Sequence, residues 1–221
     1  MADNFGERNF VSNVKYYKFA FALAVITVIY NLVEGTFSVI LGLEDETLSL
    51  FGFGVDSFVE VISGIGIWHM ILRIRTSGEI HRDKFEKTAL RITGSGFYVL
   101  TIGLVITSIY NFSTAHKPDT TFWGIVISSI SIFTMWILIH YKLKVGNALN
   151  SNAIIADANC TKTCLYLSLV LLMASVGYEL TKFGGIDSLG ALLIAWFSFK
   201  EGREAFQKAR LDVNCSCVED K

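Results

Sequence analysis

Six apolar stretches separated by short polar connections run through almost the whole chain, at about 17–41, 48–74, 88–110, 122–140, 154–180 and 187–199. A helix needs roughly 20 apolar residues to cross the hydrocarbon of a bilayer, and all but the last stretch meet or approach that length. The last is short by itself, but Gly184 and Gly185 open it and the charged, helix-favouring KEGREAFQKAR continues it into water. Within hydrocarbon every backbone N–H and C=O must be bonded internally, so runs of this kind cross as helices. The expected fold class is all-α, a polytopic membrane protein built as a six-transmembrane-helix bundle. Composition agrees, since 52% of the 221 residues are hydrophobic, 17 are Phe and only 18% are charged, fewer charges than a soluble domain of this size carries.

The charge pattern then sets orientation and excludes partners. Arg73, Arg75, Arg82, Lys84, Lys87 and Arg91 crowd the connection between spans two and three. Lys142 and Lys144 lie between spans four and five, and Arg203, Lys208 and Arg210 follow span six. Lys and Arg are retained on the cytoplasmic side, whereas the first connection is acidic (Glu44, Asp45, Glu46) and the third, NFSTAHKPDT, holds one Lys and the only Pro. Both termini are therefore expected in the cytoplasm. The opening MADNFGERNFVSN has neither a basic segment leading into a short apolar core nor a small-residue cleavage site, so the first span is expected to stay in the protein. A net charge of −1 with dispersed basic residues gives a nucleic-acid partner no electrostatic support. Residues 1–212 are expected to form one membrane domain with a short N-terminal cytoplasmic segment, and 213–221 a short cytoplasmic tail. Glycines 52, 54, 64 and 66 in span two read as packing positions.

The groups that do not belong in such a setting carry the functional signal. In TLSLFGFGVDSFVEVISG, 47–64, Asp56 and Glu60 lie four residues apart inside an apolar run. They share one helix face about 6 Å apart along the axis. A carboxylate near a bilayer centre costs roughly 2.5–3.5 kcal/mol on insertion scales, so a close pair needs a cation, a proton or a water-filled path. The fifth span repeats the spacing with softer atoms, Cys160 and Cys164 in SNAIIADANCTKTCL, and Asp157 shares their face three residues earlier. Lys162 is two residues from each cysteine and is expected to point away. Cysteine by itself is an ordinary small buried residue, and two acids bonded to neighbouring helices would also account for the first pair. The cysteines Cys160, Cys164, Cys215 and Cys217 fit no secreted disulfide framework, so reduced thiols are expected.

On these residues the chain resembles the cation diffusion facilitator family, six-helix metal transporters whose second and fifth helices each supply a ligand pair at i and i+4. TLSLFGFGVDSFVE is similar to the family's second-helix motif, with Asp56 and Glu60 at the ligand positions. ALNSNAIIADANCTKTC is similar to the fifth-helix motif, with Cys160 where the family usually has His and Cys164 where it usually has Asp. NLVEG at 31–35 resembles the first helix and the Asp187 region the entry to the sixth. The likeness covers the membrane domain, and the family's cytoplasmic C-terminal domain is expected to be missing. Any homodimer is then expected to form through the transmembrane helices.

The resemblance implies a metal site of Asp56, Glu60, Cys160 and Cys164. Two carboxylates and two thiolates suit tetrahedral zinc, and the thiolates favour Zn2+ and Cd2+ over Mg2+ and Mn2+. Asp157 either replaces a ligand or orients one from behind, and the second role is favoured because the family's ligands lie at the later positions. Glu34 either joins a proton or water path beside the site or is a neutral, bonded acid. Cys215 and Cys217 form a C-x-C fit for capturing a soft cation, though two ligands are too few for a closed site. The expected function is secondary export of Zn2+ or Cd2+ from the cytosol by proton antiport, across a lipid bilayer, in a bacterial plasma (inner) membrane. The protein is expected to be no enzyme and to need no cofactor, and no Gly-rich phosphate loop suggests ATP. Two other readings stay open: a non-transporting, metal-binding membrane subunit or receptor, and a membrane thiol oxidoreductase using Cys160 and Cys164, which is disfavoured by poor disulfide geometry at i and i+4.

Overall fold

A computed structural model describes residues 3–77, 84–149 and 152–210. Six helices follow in order: α1 (Asp3–Glu44), α2 (Leu48–Ser77), α3 (Lys84–Ser113), α4 (Phe122–Ala148), α5 (Asn152–Thr181) and α6 (Gly185–Arg210). There is no strand among the described residues. Among the described residues five stretches are long and apolar enough to cross a membrane: Lys18–Glu44, Leu48–Gly66, Lys87–Thr114, Phe122–Ala148 and Asp157–Thr181. The sixth helix falls outside that group, because its apolar part gives way to the charged segment that follows Phe199. It is nevertheless one unbroken helix from Gly185 to Arg210, so the charged segment continues the apolar part as helix, as expected.

The lipid-facing surface is apolar in the way hydrocarbon requires. Val99, Ile102 and Ile106 on α3 and Phe133 and Trp136 on α4 are each at least 60% exposed, and in a bilayer such side chains need no protein partner. With lipid as apolar as leucine, helix association rests on close packing and polar contacts. Gly54 shows the first: a Cβ there would stand 2.7 Å from the Val39 backbone nitrogen and 2.8 Å from Ser38 Cβ, so only glycine lets α2 approach α1 this closely. Gly52 similarly abuts Leu104, Gly64 Val28 and Gly66 Ala89, the packing role expected of them. On the other side, α3 and α6 meet at Gly94 and Gly202, with the Tyr98 and Phe206 rings stacked beside them at 5.5 Å.

One end of the bundle is closed by its own connections. Helices α1 and α3 each stop in a left-handed residue, Glu46 (φ 55°) and Ala115 (φ 52°), followed by a backbone bond back into the last turn, Thr47 N to Gly42 O (2.9 Å) and His116 N to Asn111 O (3.0 Å). That pairing is the Schellman ending. Lys182 (φ 54°) turns the chain after α5. The starts of the following helices are capped from other helices. Asp187 of α6 accepts from the Leu48 and Ser49 amides (2.8 and 3.1 Å) and from the Ser49 hydroxyl at the start of α2. Glu179 of α5 accepts from the Thr121 amide at 2.8 Å at the start of α4, where Thr121 provides no side-chain cap of its own. These donors are orphans in any helix, and carboxylates on neighbouring helices satisfy them.

Candidate cation site

The two ligand-spaced pairs converge because α2 packs against both α5 and α6 in the bundle centre. On α2, the four-residue spacing puts Asp56 and Glu60 on the inward face. Asp56 is 2% exposed and accepts a 2.7 Å hydrogen bond from Ser198 Oγ on α6. Glu60, one turn further, meets α5: Cys164 Sγ lies 2.8 Å from both Glu60 carboxylate oxygens and donates to them. Asn31 of α1 donates to Glu60 Oε2 at 3.1 Å. Carboxylate and thiol are thus in direct contact across more than one hundred residues of sequence.

Cys160 is turned differently. Its sulfur accepts from Lys208 Nζ at 3.8 Å, a lysine on α6's polar end that also pairs with Glu204 at 3.3 Å. The Lys208 ammonium is held above the ordinary lysine range, first by the Cys160 sulfur and then, against the effect of burial, by Glu201 and Glu204. Between these helices lies a cavity of about 50 Å³ whose wall includes Asn31, Glu60, Asp157, Cys160, Cys164 and Glu201. That is room for a few water molecules or one ion. Asp56 is outside that wall. Among the described residues no three His, Cys, Asp or Glu side chains stand together as a ready metal centre. Of the four expected ligands, Glu60 and Cys164 are joined and share the cavity wall with Cys160, which is held by Lys208, while Asp56 is tied to α6 and lies off that wall.

The satellite residues have partners that their spacing did not announce. Asp157 forms a 2.9 Å ion pair with Lys142 of α4, which is 1% exposed and also donates to Thr161 Oγ1 at 2.9 Å. Lys142, counted with the charges that set orientation, is instead inside the bundle. Glu34 is buried on α1, accepting from Tyr30 OH at 2.8 Å and, more weakly, from Ser57 Oγ at 3.5 Å. Lys162 bonds Asn159 Oδ1 at 2.9 Å, off the thiol pair as expected. The Cys164 thiol reaches the Cys160 backbone carbonyl at 3.5 Å, and both cysteines are free thiols. Cys215 and Cys217 lie outside the described residues. Ser198 has no signal in the sequence, Asn31 stands out there only as the first residue of NLVEG, and Lys142 and Lys208 only as orientation charges, so none of the four reads as a neighbour of the site. A lone Lys at the end of an apolar run has the signature of an orientation signal, and Asn and Ser in a membrane helix are too common to stand out.

The six-helix bundle, with acids and thiols meeting in its interior, is that of a polytopic membrane protein. Residues 20–212 match the cation efflux transmembrane domain, and the chain belongs to that family. It is 26% identical over 179 residues to an uncharacterized transporter of Methanocaldococcus jannaschii, a match covering 77% of this chain and 62% of the relative. It is 25% identical over 196 residues to the manganese efflux system protein MneP of Bacillus subtilis, covering 82% of this chain and 64% of that protein. The chain thus spans somewhat under two thirds of the length of these curated relatives.

Proposed function

We propose that the protein is a secondary transporter that moves a divalent transition-metal cation out of the cytosol, with Asp56, Glu60, Cys160 and Cys164 as the groups that hold it. The observation that carries this reading is the contact of Glu60 with Cys164 on the wall of a small cavity between the helices, in a chain of the cation efflux family. The cation enters between the carboxylate and the thiol, replacing the proton they share. Cys160 joins when Lys208 gives way, and Asp56 when its Ser198 contact is exchanged. Carboxylates and thiols coordinate only when deprotonated, so affinity falls with acidity and each ion bound releases protons. That exchange supplies proton antiport without ATP.

The thiols favour Zn2+ and Cd2+. Asp157, committed to Lys142, acts by fixing α5 beside the cavity instead of ligating. Glu34, bonded to Tyr30 and to Ser57, the residue after Asp56, takes part in a proton path. Both termini are placed in the cytoplasm by the Lys and Arg bias of the chain. The membrane is taken to be a bacterial plasma membrane and the assembly a homodimer through the transmembrane helices. Manganese is a second reading, favoured by the name of the B. subtilis relative.

The test is flux in proteoliposomes under a pH gradient, with Zn2+, Cd2+, Fe2+, Mn2+ and Cu+ compared. Zn2+ or Cd2+ flux that disappears in both Asp56→Ala and Cys160→Ala, with the variants still folded, is expected. Unchanged flux in both would refute the ligand assignment, metal binding without flux would favour a non-transporting subunit, and a reversible Cys160–Cys164 disulfide would favour the oxidoreductase.

A further inference from the structure

A buried amide on the cavity wall stands outside the ligand set of Asp56, Glu60, Cys160 and Cys164. Asn31, near the middle of the Lys18–Glu44 span, is 2% exposed and lines the cavity together with Glu60, Cys160 and Cys164. Its Nδ2 donates to Glu60 Oε2, and its Oδ1 is buried with no hydrogen-bond partner. The amide is assigned the orientation in which its donor meets the Glu60 carboxylate and its oxygen is left over. A buried acceptor left without a donor is costly, because it has given up its water and gained no partner in exchange. Native proteins keep few such groups, and one beside a cavity calls for a partner that the apoprotein does not supply. The neighbouring groups on this wall are a carboxylate and thiols, so the partner common to all of them is a cation.

We propose that Asn31 Oδ1 is a third donor, from α1, to a cation held between Glu60 and Cys164, and that this neutral oxygen sets how far the site accepts oxygen-preferring ions. The inference rests on the reading of Glu60 and Cys164 as cation ligands. Carbonyl oxygens suit Mn2+, whereas thiolates suit Cd2+ and Zn2+. An amide oxygen beside a thiol therefore broadens the site toward harder ions without adding charge to an already acidic pocket. It also couples α1 to occupancy, because the same side chain touches Glu60 and the ion.

The experiment measures Mn2+ and Cd2+ affinities of the full chain in lipid nanodiscs, for the unmodified protein and for Asn31→Ala, Asn31→Asp, Glu60→Gln and Cys164→Ala. Asn31→Ala is expected to weaken Mn2+ on the order of ten-fold and Cd2+ by no more than about three-fold, so that the Mn2+/Cd2+ ratio shifts. Asn31→Asp keeps an oxygen and adds charge, and is expected to shift the ratio toward Mn2+. It carries the test if the alanine variant fails to fold. Equal losses for both ions would mean that Asn31 only orients Glu60, and would overturn the proposal. So would an unchanged ratio, or an unmodified protein that binds Cd2+ and no Mn2+. If Glu60→Gln and Cys164→Ala leave Cd2+ affinity intact, the ligand assignment itself fails and this inference with it. Loss in those two variants beside an unshifted ratio at position 31 would sink the inference alone.

Discussion

The acids at the closed end of the bundle accept from backbone amides as well as side chains, whereas those in its interior accept from side chains alone. Asp187 and Glu179 accept from backbone amides at the starts of α2 and α4. Glu60 accepts from Cys164 and Asn31, and Asp56 from Ser198, all of them side chains. A backbone amide cannot leave without unwinding its helix, whereas a thiol, an amide side chain or a hydroxyl can turn away. The first arrangement ties helices together. On the proposed reading the second is the arrangement that exchanges with a cation or proton, and the kind of donor, more than burial, separates a structural carboxylate from a binding one.

The Lys142–Asp157 pair tests the boundary, since it joins two side chains yet serves as a structural tie between α4 and α5. Breaking a buried pair by removing one partner leaves an uncompensated charge and costs about 3–5 kcal/mol. Lys142→Met is therefore expected to give the largest loss of stability, seen as a lowered melting temperature in nanodiscs. Lys142→Met with Asp157→Leu should recover most of it, and a loss of cation binding in the folded double variant would move Asp157 to the binding side. Next in size, Asp187→Ala strips two buried amides of their acceptor, at about 1–3 kcal/mol for each group left unsatisfied. Its Cd2+ affinity should match the unmodified protein, and a ten-fold change would erase the distinction between the two kinds of acid.

Smaller effects sharpen the interior side. Lys208→Gln removes the positive charge that competes for Cys160, and Cd2+ binding should tighten on the order of ten-fold. Titration calorimetry reads this directly, and weaker binding would mean that Lys208 supports the site. Gly54→Ala places a Cβ within 2.7 Å of the Val39 backbone nitrogen. It should cost about 1–3 kcal/mol through separation of α1 from α2, with the metal preference unchanged.

The fold and half of the site are legible in the sequence, and the division has a physical cause. Asp56 with Glu60, and Cys160 with Cys164, are pairs within single helices, where a four-residue spacing alone puts two side chains on one face. Runs of apolar residues likewise announce membrane helices through length. The partners Asn31, Ser198, Lys142 and Lys208 depend on how each helix is rotated against its neighbours, which no spacing encodes. Helix α6 is the hardest to delimit because its apolar part is short, and its charged continuation carries the same helix without a break from Gly185 to Arg210. Asp187 stands out in the sequence only as part of a resemblance; its capping of α2 appears once α2 and α6 are side by side.

On the proposed reading one cation is held jointly by a carboxylate of α2 and a thiol of α5. X-ray absorption at the zinc edge, on the purified protein loaded with one equivalent of Zn2+, reads the donor atoms directly. The predicted result is a mixed shell, with sulfur at about 2.3 Å and oxygen at about 2.0–2.2 Å, and loss of the sulfur component when Cys160 and Cys164 are both replaced by serine. A shell of oxygen and nitrogen alone in the unmodified protein would contradict it.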